Sequence, residues 1–398
     1  NIYKSEKNIR SAKVDEISSQ FYPQIYTSLA YTRLSDIPPF SVKVPFSPTP
    51  LKIQDAFLNY YVVNAGFTLP IFMGFKLTSL KEAALLQAKA SEKEADAETN
   101  NEAMRITEAF YNLLKIEKQY NLVEQSLTSM KNHLNDAERK YEQGMIKKSD
   151  VLKIKVEKQK LESSLIEMKN NVEVARTFFN RAIGIDLRTD SKIEWQPEKI
   201  EIEMSLNELL AEARANRDEL KSIELQSNAA AENLRSEKSG YYPTLNAYGN
   251  YYYNNPNQRY LPLEDKFQDN WELGVAVKWN IFDWGKTSAK VTQAEETLTK
   301  IRNKESLLKE SIETEVINNY LKLKSAQSKI EAAEISVESA KENLNVVENL
   351  FNQKMATSTE LTDAETNLLK AETDLINAKI NAELIYKQLM KSIGRRIY

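Results

Sequence analysis

Few residues in this 398-residue chain have the type and spacing to do chemistry. Glu360 and Asp363 lie three positions apart just beyond a predicted helix break, so their carboxylates share one helix face. Such a pair attracts cations where it lines a pore, although most acidic residues on charged helices are solvated or paired with lysine. His133 is the only histidine. Because its sequence neighbours offer no further ligands, we predict a surface residue rather than a metal ligand.

No combination of residues indicates catalysis. The chain has no cysteine, which excludes disulfides, thiolate metal sites and a cysteine nucleophile. No nucleophile, base and orienting group are evident together. The net charge of −3 gives no electrostatic basis for binding nucleic acid, and no apolar run reaches the roughly 18 residues of a transmembrane helix. We therefore predict a protein that is not an enzyme and that needs neither a cofactor nor a metal.

The sequence segments that carry these residues form an internal repeat. A shift of 210 residues superposes identical residues of the two halves: Ile71 and Ile281, Lys76 and Lys286, Leu134 and Leu344, Met145 and Met355, Ile183 and Ile393. All prolines except Pro197 lie in 23–70 or 243–262, and 286–393 contains neither glycine nor proline. Each repeat therefore consists of a proline-rich and tyrosine-rich extended segment followed by a very long helix.

Hydrophobic periodicity and turn residues give the predicted elements. Repeat 1 is 1–184: a helix end to about residue 20, strands at about 21–34 and 56–70, a long helix at 76–140 and a return helix at 150–183. Repeat 2 is 205–398: a helix at 205–239, strands at about 241–254 and 269–282, a long helix at 286–350 and a return helix at 360–393. The segment 185–204 links the repeats, which are predicted to form one interleaved unit.

The strands set the strongest constraint on assembly. One chain supplies four strands in two hairpins, which are too few to close a barrel, and open sheet edges invite pairing. Several chains must therefore share one barrel, and helices of about 65 residues rise roughly 100 Å from it. The predicted fold class is mainly α with a small β part. It combines a long α-helical coiled-coil barrel with a transmembrane β-barrel shared between protomers.

Motifs in both repeats resemble those of the outer-membrane efflux, or TolC-like, family. They are Tyr242-Pro243-Thr244-Leu245, the segments 271–277 and 280–286, and the segment 139–152. The resemblance covers nearly the whole chain, in both repeats. The resemblance implies a homotrimer, with a barrel of twelve strands in outer-membrane lipid and a helical tunnel across the periplasm of a Gram-negative cell. The tunnel would dock on a periplasmic adaptor (membrane fusion) protein and an inner-membrane RND or ABC pump. Drugs, metal ions or secreted proteins would leave through it.

The resemblance also implies that the two helix breaks, 141–149 and 351–359, are the turns at the periplasmic tip. The expected adaptor contacts are Gly144, Met145, Ile146, Lys147, Lys148, Ser149, Lys354, Met355, Ala356, Thr357 and Ser358. Taken alone, Lys147 and Lys148 favour a solvated loop over a site for an acidic partner. Glu360 and Asp363 match acidic residues that face the closed aperture, and Asp150 matches an aspartate that relatives tie to the second hairpin. Three copies would place a carboxylate ring on the axis.

Three features depart from the family pattern. The tyrosine and arginine positions that tie to Asp150 hold Phe351 and Ala356, so that latch cannot form and a closed state must be held otherwise. Lys354 stands where glycine is usual, which leaves the geometry of the second turn open. The first helix starts about 15 residues too late by comparison with repeat 2. A longer precursor carrying any signal sequence is therefore expected.

Aromatic residues cluster around the strands of repeat 2. The predicted girdle of a membrane barrel is formed by Tyr251, Tyr252, Tyr253, Trp271, Trp279 and Trp284. Ordinary packing in a soluble sheet is the alternative for these six residues. For the whole chain, the alternative is a soluble coiled-coil scaffold or adhesin with small β modules. The duplicated aromatic hairpins favour the function that the resemblance implies. That function is a passive exit duct of a tripartite efflux or type I secretion system, gated at its periplasmic tip, located in the outer membrane and extending into the periplasm.

Overall fold

The chain is mostly helical with a smaller β part, which confirms the predicted fold class at that level. The computed structural model describes residues 2–197, 200 and 204–397, so part of the predicted linker 185–204 lies outside the described residues. The elements in chain order are α1 (Ile2–Ser19), β1 (Gln24–Arg33), β2 (Phe40–Val42), β3 (Leu51–Gln54), β4 (Asn59–Phe72), α2 (Lys76–Glu142), α3 (Lys148–Ile183), α4 (Leu206–Asn216), α5 (Asp218–Lys238), β5 (Thr244–Asn255), β6 (Gln268–Lys278), α6 (Lys286–Asn352) and α7 (Ser358–Ser392).

Two compact units divide the chain, and each takes segments from both repeats. The first unit contains Asn1–Ala95 and Lys221–Ser306, and the second contains Asp96–Leu220 and Leu307–Tyr398. The division falls across the repeats rather than between them. Each unit is therefore built from both repeats, and a single interleaved unit stays a prediction.

An antiparallel sheet in the order β1-β4-β5-β6 organises the first unit. The two hairpins pair internally, and β4 joins β5 across the repeats, with Tyr61 opposite Asn255. A separate ribbon of β2 and β3 lies between the two strands predicted for repeat 1, where the sequence is rich in proline. Its strands have three and four residues, too few for an alternating pattern to indicate them.

Local backbone signals set where the two long helices begin. Both α2 and α6 have 67 residues, two more at the C-terminal end than predicted. Each begins just after a pair of residues with positive φ, Gly74 and Phe75 before α2 and Trp284 and Gly285 before α6. The two repeats therefore enter their long helices through the same local geometry.

The predicted helix 205–239 is in fact two helices, because Arg217 is extended between α4 and α5 (φ −62°, ψ 118°). The Arg217 side chain is buried. Its guanidinium donates to the carboxylates of Glu219 and Glu315 and to the carbonyl of Ser392 at the end of α7. Contacts distant in sequence stabilise this break, so no glycine or proline marks it.

Apolar stripes of the helices form the core of the second unit. Ile312, Val316 and Leu323 on α6 pack with residues of α4 and α7, including Leu209 and Leu389. Each large apolar side chain buried in this way contributes about 1.5–3 kcal/mol. The described part of the linker also packs here, because the indole N–H of Trp195 donates to a carboxylate oxygen of α7 at 2.9 Å. Among the described helices, none is apolar over a length sufficient to cross a membrane.

Candidate functional site: the paired helix turns

The two helix breaks have the same backbone geometry. After α2, the N–H of Met145 donates to the carbonyl of Lys140, and the N–H of Gly144 donates to that of Tyr141, both at 2.8 Å. After α6, the N–H of Met355 donates to the carbonyl of Leu350 at 2.8 Å. This hydrogen bond back across five residues, with a left-handed residue inside it, satisfies carbonyls that a helix end leaves without partners.

Lys354 occupies the left-handed position of the second turn. Its φ is 65°, against 68° for Gly144 in the first turn. The second turn therefore forms despite the missing glycine, which answers the question that the sequence leaves open. A side chain in this conformation costs roughly 1 kcal/mol.

Capping residues start each return helix. The hydroxyl of Thr357 accepts the backbone N–H of Glu360 at 3.2 Å, and a carboxylate oxygen of Glu360 accepts the N–H of Thr357 at 2.6 Å. The hydrogen bonds from the Thr357 backbone and hydroxyl lower the pKa of Glu360. In the first turn Asp150 accepts the N–H of Lys147 at 3.3 Å. The carboxylates of both turns thus serve as helix caps.

Hydrogen bonds also join the two turns to each other. The hydroxyl of Ser358, which is fully buried, donates to Asp150 at 2.9 Å. Lys153 on α3 donates to the hydroxyl of Thr359 at 2.9 Å. Asp150 therefore does contact the second turn, through a serine of α7 instead of the tyrosine and arginine that the family pattern uses.

Phe351 and Ala356, which replace that tyrosine and arginine, are apolar contacts in the same place. Phe351 is buried in a cluster with Met130, Ile154 and Leu361, and Ala356 packs against its edge. The ammonium of Lys140 lies 4.5 Å from the centre of the Phe351 ring. Apolar burial and a cation–π contact therefore connect the turns where the family pattern has polar groups.

The turns present two methionines to solvent. Met145 and Met355 are 45% and 66% exposed, and their flexible thioether side chains can adapt to a partner surface. Of the other predicted adaptor contacts, Gly144, Lys147, Lys148, Ser149, Lys354 and Thr357 are exposed, and Ile146 and Ala356 are partly buried. Ser358 differs from the others, because its side chain is buried and its hydroxyl donates to Asp150, so its contact with an adaptor stays a prediction.

Asp363 and Glu360 are both exposed on the first turns of α7. Glu360 is held by its hydrogen bonds with the backbone N–H and hydroxyl of Thr357, whereas Asp363 is exposed to solvent. The two predicted gate carboxylates therefore differ locally. Glu360 caps the N-terminus of α7, whereas the exposed carboxylate of Asp363 can interact with passing ions.

The prediction that His133 is a surface residue is wrong. Its side chain is 16% exposed, and Nε2 lies 2.8 Å from Oε1 of Glu365 and 3.5 Å from Oε1 of Glu348. The hydroxyl of Ser129 also donates to Glu365. Burial lowers the pKa of His133, but the hydrogen bond and charge of Glu365, with the charges of Glu348 and Asp136, outweigh it and raise the pKa. Glu348 and Glu365 are more than 200 residues away from His133 in sequence, so its sequence neighbours give no signal for these two partners.

The sheet of the first unit has one apolar and exposed face. Leu273, Val275 and Val277 on β6 are 62–70% exposed. Strand register aligns Trp271 with Tyr251, and Leu273 with Gly249. Exposed Ile25 and Leu29 of β1 lie on the same face, opposite Phe67 and Val63 of β4. An apolar face this extensive is exceptional on a water-exposed sheet.

The opposite face carries a chain of polar contacts. The hydroxyl of Tyr26 donates to Asn250 at 2.9 Å, and the amide of Asn250 donates to Glu272 at 3.1 Å. Tyr252 also donates to Glu272, at 3.0 Å. Tyr252 therefore lies on the polar face, opposite to that of Tyr251, because neighbouring strand residues alternate between faces. Its membership of the girdle stays a prediction.

The remaining predicted girdle residues are exposed. Tyr253 lies two positions from Tyr251 on the apolar face, and Trp271 is 72% exposed. Trp279 and Trp284 follow the end of β6, and the indole N–H of Trp279 donates to the carbonyl of Tyr241 at 3.2 Å. Ring N–H groups with one polar partner and an otherwise exposed apolar body are typical of a membrane interface.

Known proteins share both the sequence pattern and the fold. The outer membrane efflux protein family matches residues 5–184 and 209–395. No curated protein sequence matches the chain significantly. Among solved structures, the outer membrane protein VceC of Vibrio cholerae is 17% identical, with a TM-score of 0.82 over 100% of this chain and 93% of that one. The CmeC outer membrane channel of Campylobacter jejuni is 14% identical, with a TM-score of 0.82 over 99% of this chain and 82% of that one. The open-state MtrE outer membrane channel of Neisseria gonorrhoeae is 16% identical, with a TM-score of 0.79 over 100% and 86%.

Proposed function

This chain belongs to the outer membrane efflux protein family, and from that premise we propose that it is the exit duct of a tripartite efflux or type I secretion system. The duct is a homotrimer that spans the outer membrane and extends into the periplasm. It receives drugs, metal ions or secreted proteins from an inner-membrane RND or ABC pump through a periplasmic adaptor. It carries out no chemistry on them.

The two-faced sheet is the observation that carries this proposal. Its apolar face suits contact with lipid, and its hydrogen-bonded polar face suits a water-filled interior. Strands β1 and β6 form its outer edges, with ten and eleven residues. Strands of this length with open edges pair with other chains. Three copies of four strands would close a barrel of twelve and leave no edge.

The alternative of a soluble scaffold or adhesin is disfavoured by the same face. A soluble protein rarely exposes an apolar surface that extends across four strands. The long helices are compatible with an exit duct and with a soluble scaffold, so only the sheet distinguishes between these alternatives.

A matched pair of substitutions on β6 tests the proposal. Val275 and Ala276 are adjacent and both exposed, but register places Val275 on the apolar face and Ala276 on the other. In a membrane barrel, Val275→Arg meets lipid and costs about 2–4 kcal/mol near the midplane. Ala276→Arg meets the aqueous interior and costs far less.

Assembly into membranes and single-channel conductance in planar bilayers measure the difference. The proposal predicts channels from the wild type and from Ala276→Arg, and strongly reduced assembly of Val275→Arg. Equal tolerance of both arginines, together with no conductance from the wild type, would favour the soluble scaffold.

The helix turns are proposed as the adaptor contact and the gate. The exposed Met145 and Met355 support the docking role, and Asp363 and Glu360 would contribute to an acidic ring at the aperture, with Asp150 linking the two hairpins. A cysteine at Met355 avoids the capping role of Thr357 and should crosslink to the adaptor in cells. A cysteine at Ser41, on the β2–β3 ribbon, is the control. Crosslinks from Ser41 and none from Met355 would reverse the proposed orientation.

A further inference from the structure

We propose that His133, Glu348 and Glu365 form a binding site for one divalent cation of the zinc class. The three residues lie on α2, α6 and α7 of the second unit. A bound ion would therefore connect the first helical hairpin to the second, close to the turns. The proposed passage of cargo does not require this site.

The distances between the ligand atoms fit a tetrahedral ion. The imidazole Nε2 and the two carboxylate oxygens all lie within 4.8 Å of one another. Metal–ligand bonds of about 2.0–2.2 Å hold ligands of a zinc ion roughly 3.3–3.5 Å apart. His133 and Glu348 are already separated by 3.5 Å. The 2.8 Å contact of His133 with Glu365 has to open by about half an ångström, which a small side-chain rotation supplies.

The surroundings of the three ligands also suit an ion. Glu365 is 96% buried, and a buried carboxylate needs a positive partner or several hydrogen bonds. The hydroxyl of Ser129 donates to Glu365 and lies 3.3 Å from Nε2 of His133. A hydrogen bond of this kind orients a ligating carboxylate from outside the coordination sphere.

Glu348 leaves the site accessible. Its side chain is 39% exposed, whereas those of His133 and Glu365 are 16% and 5% exposed. The cation can therefore enter on the Glu348 side, and a water molecule can complete a fourth ligand position there.

The donor set selects the class of ion. One imidazole and two carboxylates suit Zn²⁺ and related ions such as Co²⁺. Mg²⁺ and Ca²⁺ prefer six or more oxygen ligands, so these ions should bind poorly. The selectivity separates this site from exposed acidic groups, which attract any divalent cation.

Calorimetric titration of the intact protein with Zn²⁺ tests the proposal, provided that the protein is purified without a histidine tag. The expected result is one Zn²⁺ per chain, unaffected by excess Mg²⁺. His133→Gln and Glu365→Gln should each abolish this binding. Glu342→Gln removes the same charge from an exposed position of α6 and should leave it unchanged.

The single histidine allows a second measurement that needs no variant. In protein labelled with ¹⁵N only at histidine, the imidazole signal can come only from His133. One equivalent of Zn²⁺ should shift its Nε2 resonance. An unchanged resonance, or equal Zn²⁺ binding by wild type and His133→Gln, would overturn the proposal and leave the cluster as an ion pair.

Discussion

Replacing Ser358 by alanine removes the hydrogen bond that joins the two helix turns. The hydroxyl is fully buried, and its acceptor Asp150 is a partly buried carboxylate at 2.9 Å. Hydrogen bonds to charged groups contribute about 1.5–3 kcal/mol, and partial exposure of Asp150 favours the lower end. We therefore expect Ser358→Ala to cost about 1.5 kcal/mol, or roughly a tenfold change in equilibrium between joined and separated turns.

A double-mutant cycle isolates this contribution. Asp150→Ala also removes the hydrogen bond that Asp150 accepts from the backbone N–H of Lys147, so the two single variants will differ in stability. The coupling free energy between Ser358 and Asp150 nevertheless measures only their mutual contact. The free energy of unfolding of the intact protein gives the coupling, and the open probability in planar bilayers reports separation of the turns. Across three copies the effect would sum to about 4–5 kcal/mol.

Ser149→Ala is the matched control, because it removes an exposed hydroxyl beside Asp150. Its effect should stay within about 0.5 kcal/mol. A coupling between Ser358 and Asp150 below about 0.3 kcal/mol, with an open probability like that of the control, would refute the link between the turns.

Three further predictions concern the same turns. Lys354→Gly should raise the free energy of unfolding by about 1 kcal/mol, because the residue is left-handed (φ 65°); a chemical denaturation curve that moves the other way contradicts this backbone assignment. The pKa of Glu360 is lowered in the folded protein. Ionised Glu360 therefore stabilises the fold above the ordinary glutamate pKa, and this contribution is lost as pH falls through the lowered pKa of the folded state. The stability difference between wild type and Glu360→Gln should therefore shrink in acid, and a difference independent of pH would exclude the charged cap. Asp363→Asn should lower cation selectivity without changing stability, and an unchanged reversal potential in a salt gradient would remove Asp363 from the gate.

The sequence predicts the large elements well because their signals are local and repeated. The starts of α2 and α6 follow from the glycines just before them, Gly74 and Gly285, and the strands follow from aromatic, β-branched segments near prolines. The break at Arg217 has no such signal. It depends on an arginine whose partners, Glu315 and Ser392, come from distant parts of the chain.

The details of the candidate site depend on how helices align, which periodicity does not determine. His133 pairs with Glu365 across 232 residues, and Asp150 meets Ser358 across 208. Matching to the family pattern singles out Asp150, but it selects partners by their position in that pattern. In the structure the Asp150 carboxylate instead accepts the hydroxyl of Ser358, one residue past the N-cap of α7.

The oligomeric state of the folded protein in detergent tests the central claim most directly. The long open edges of β1 and β6 require neighbouring chains, so native mass spectrometry should give a trimer whose strands resist hydrogen exchange. A stable monomer with the same protection of β1 and β6 would contradict a barrel shared between three chains.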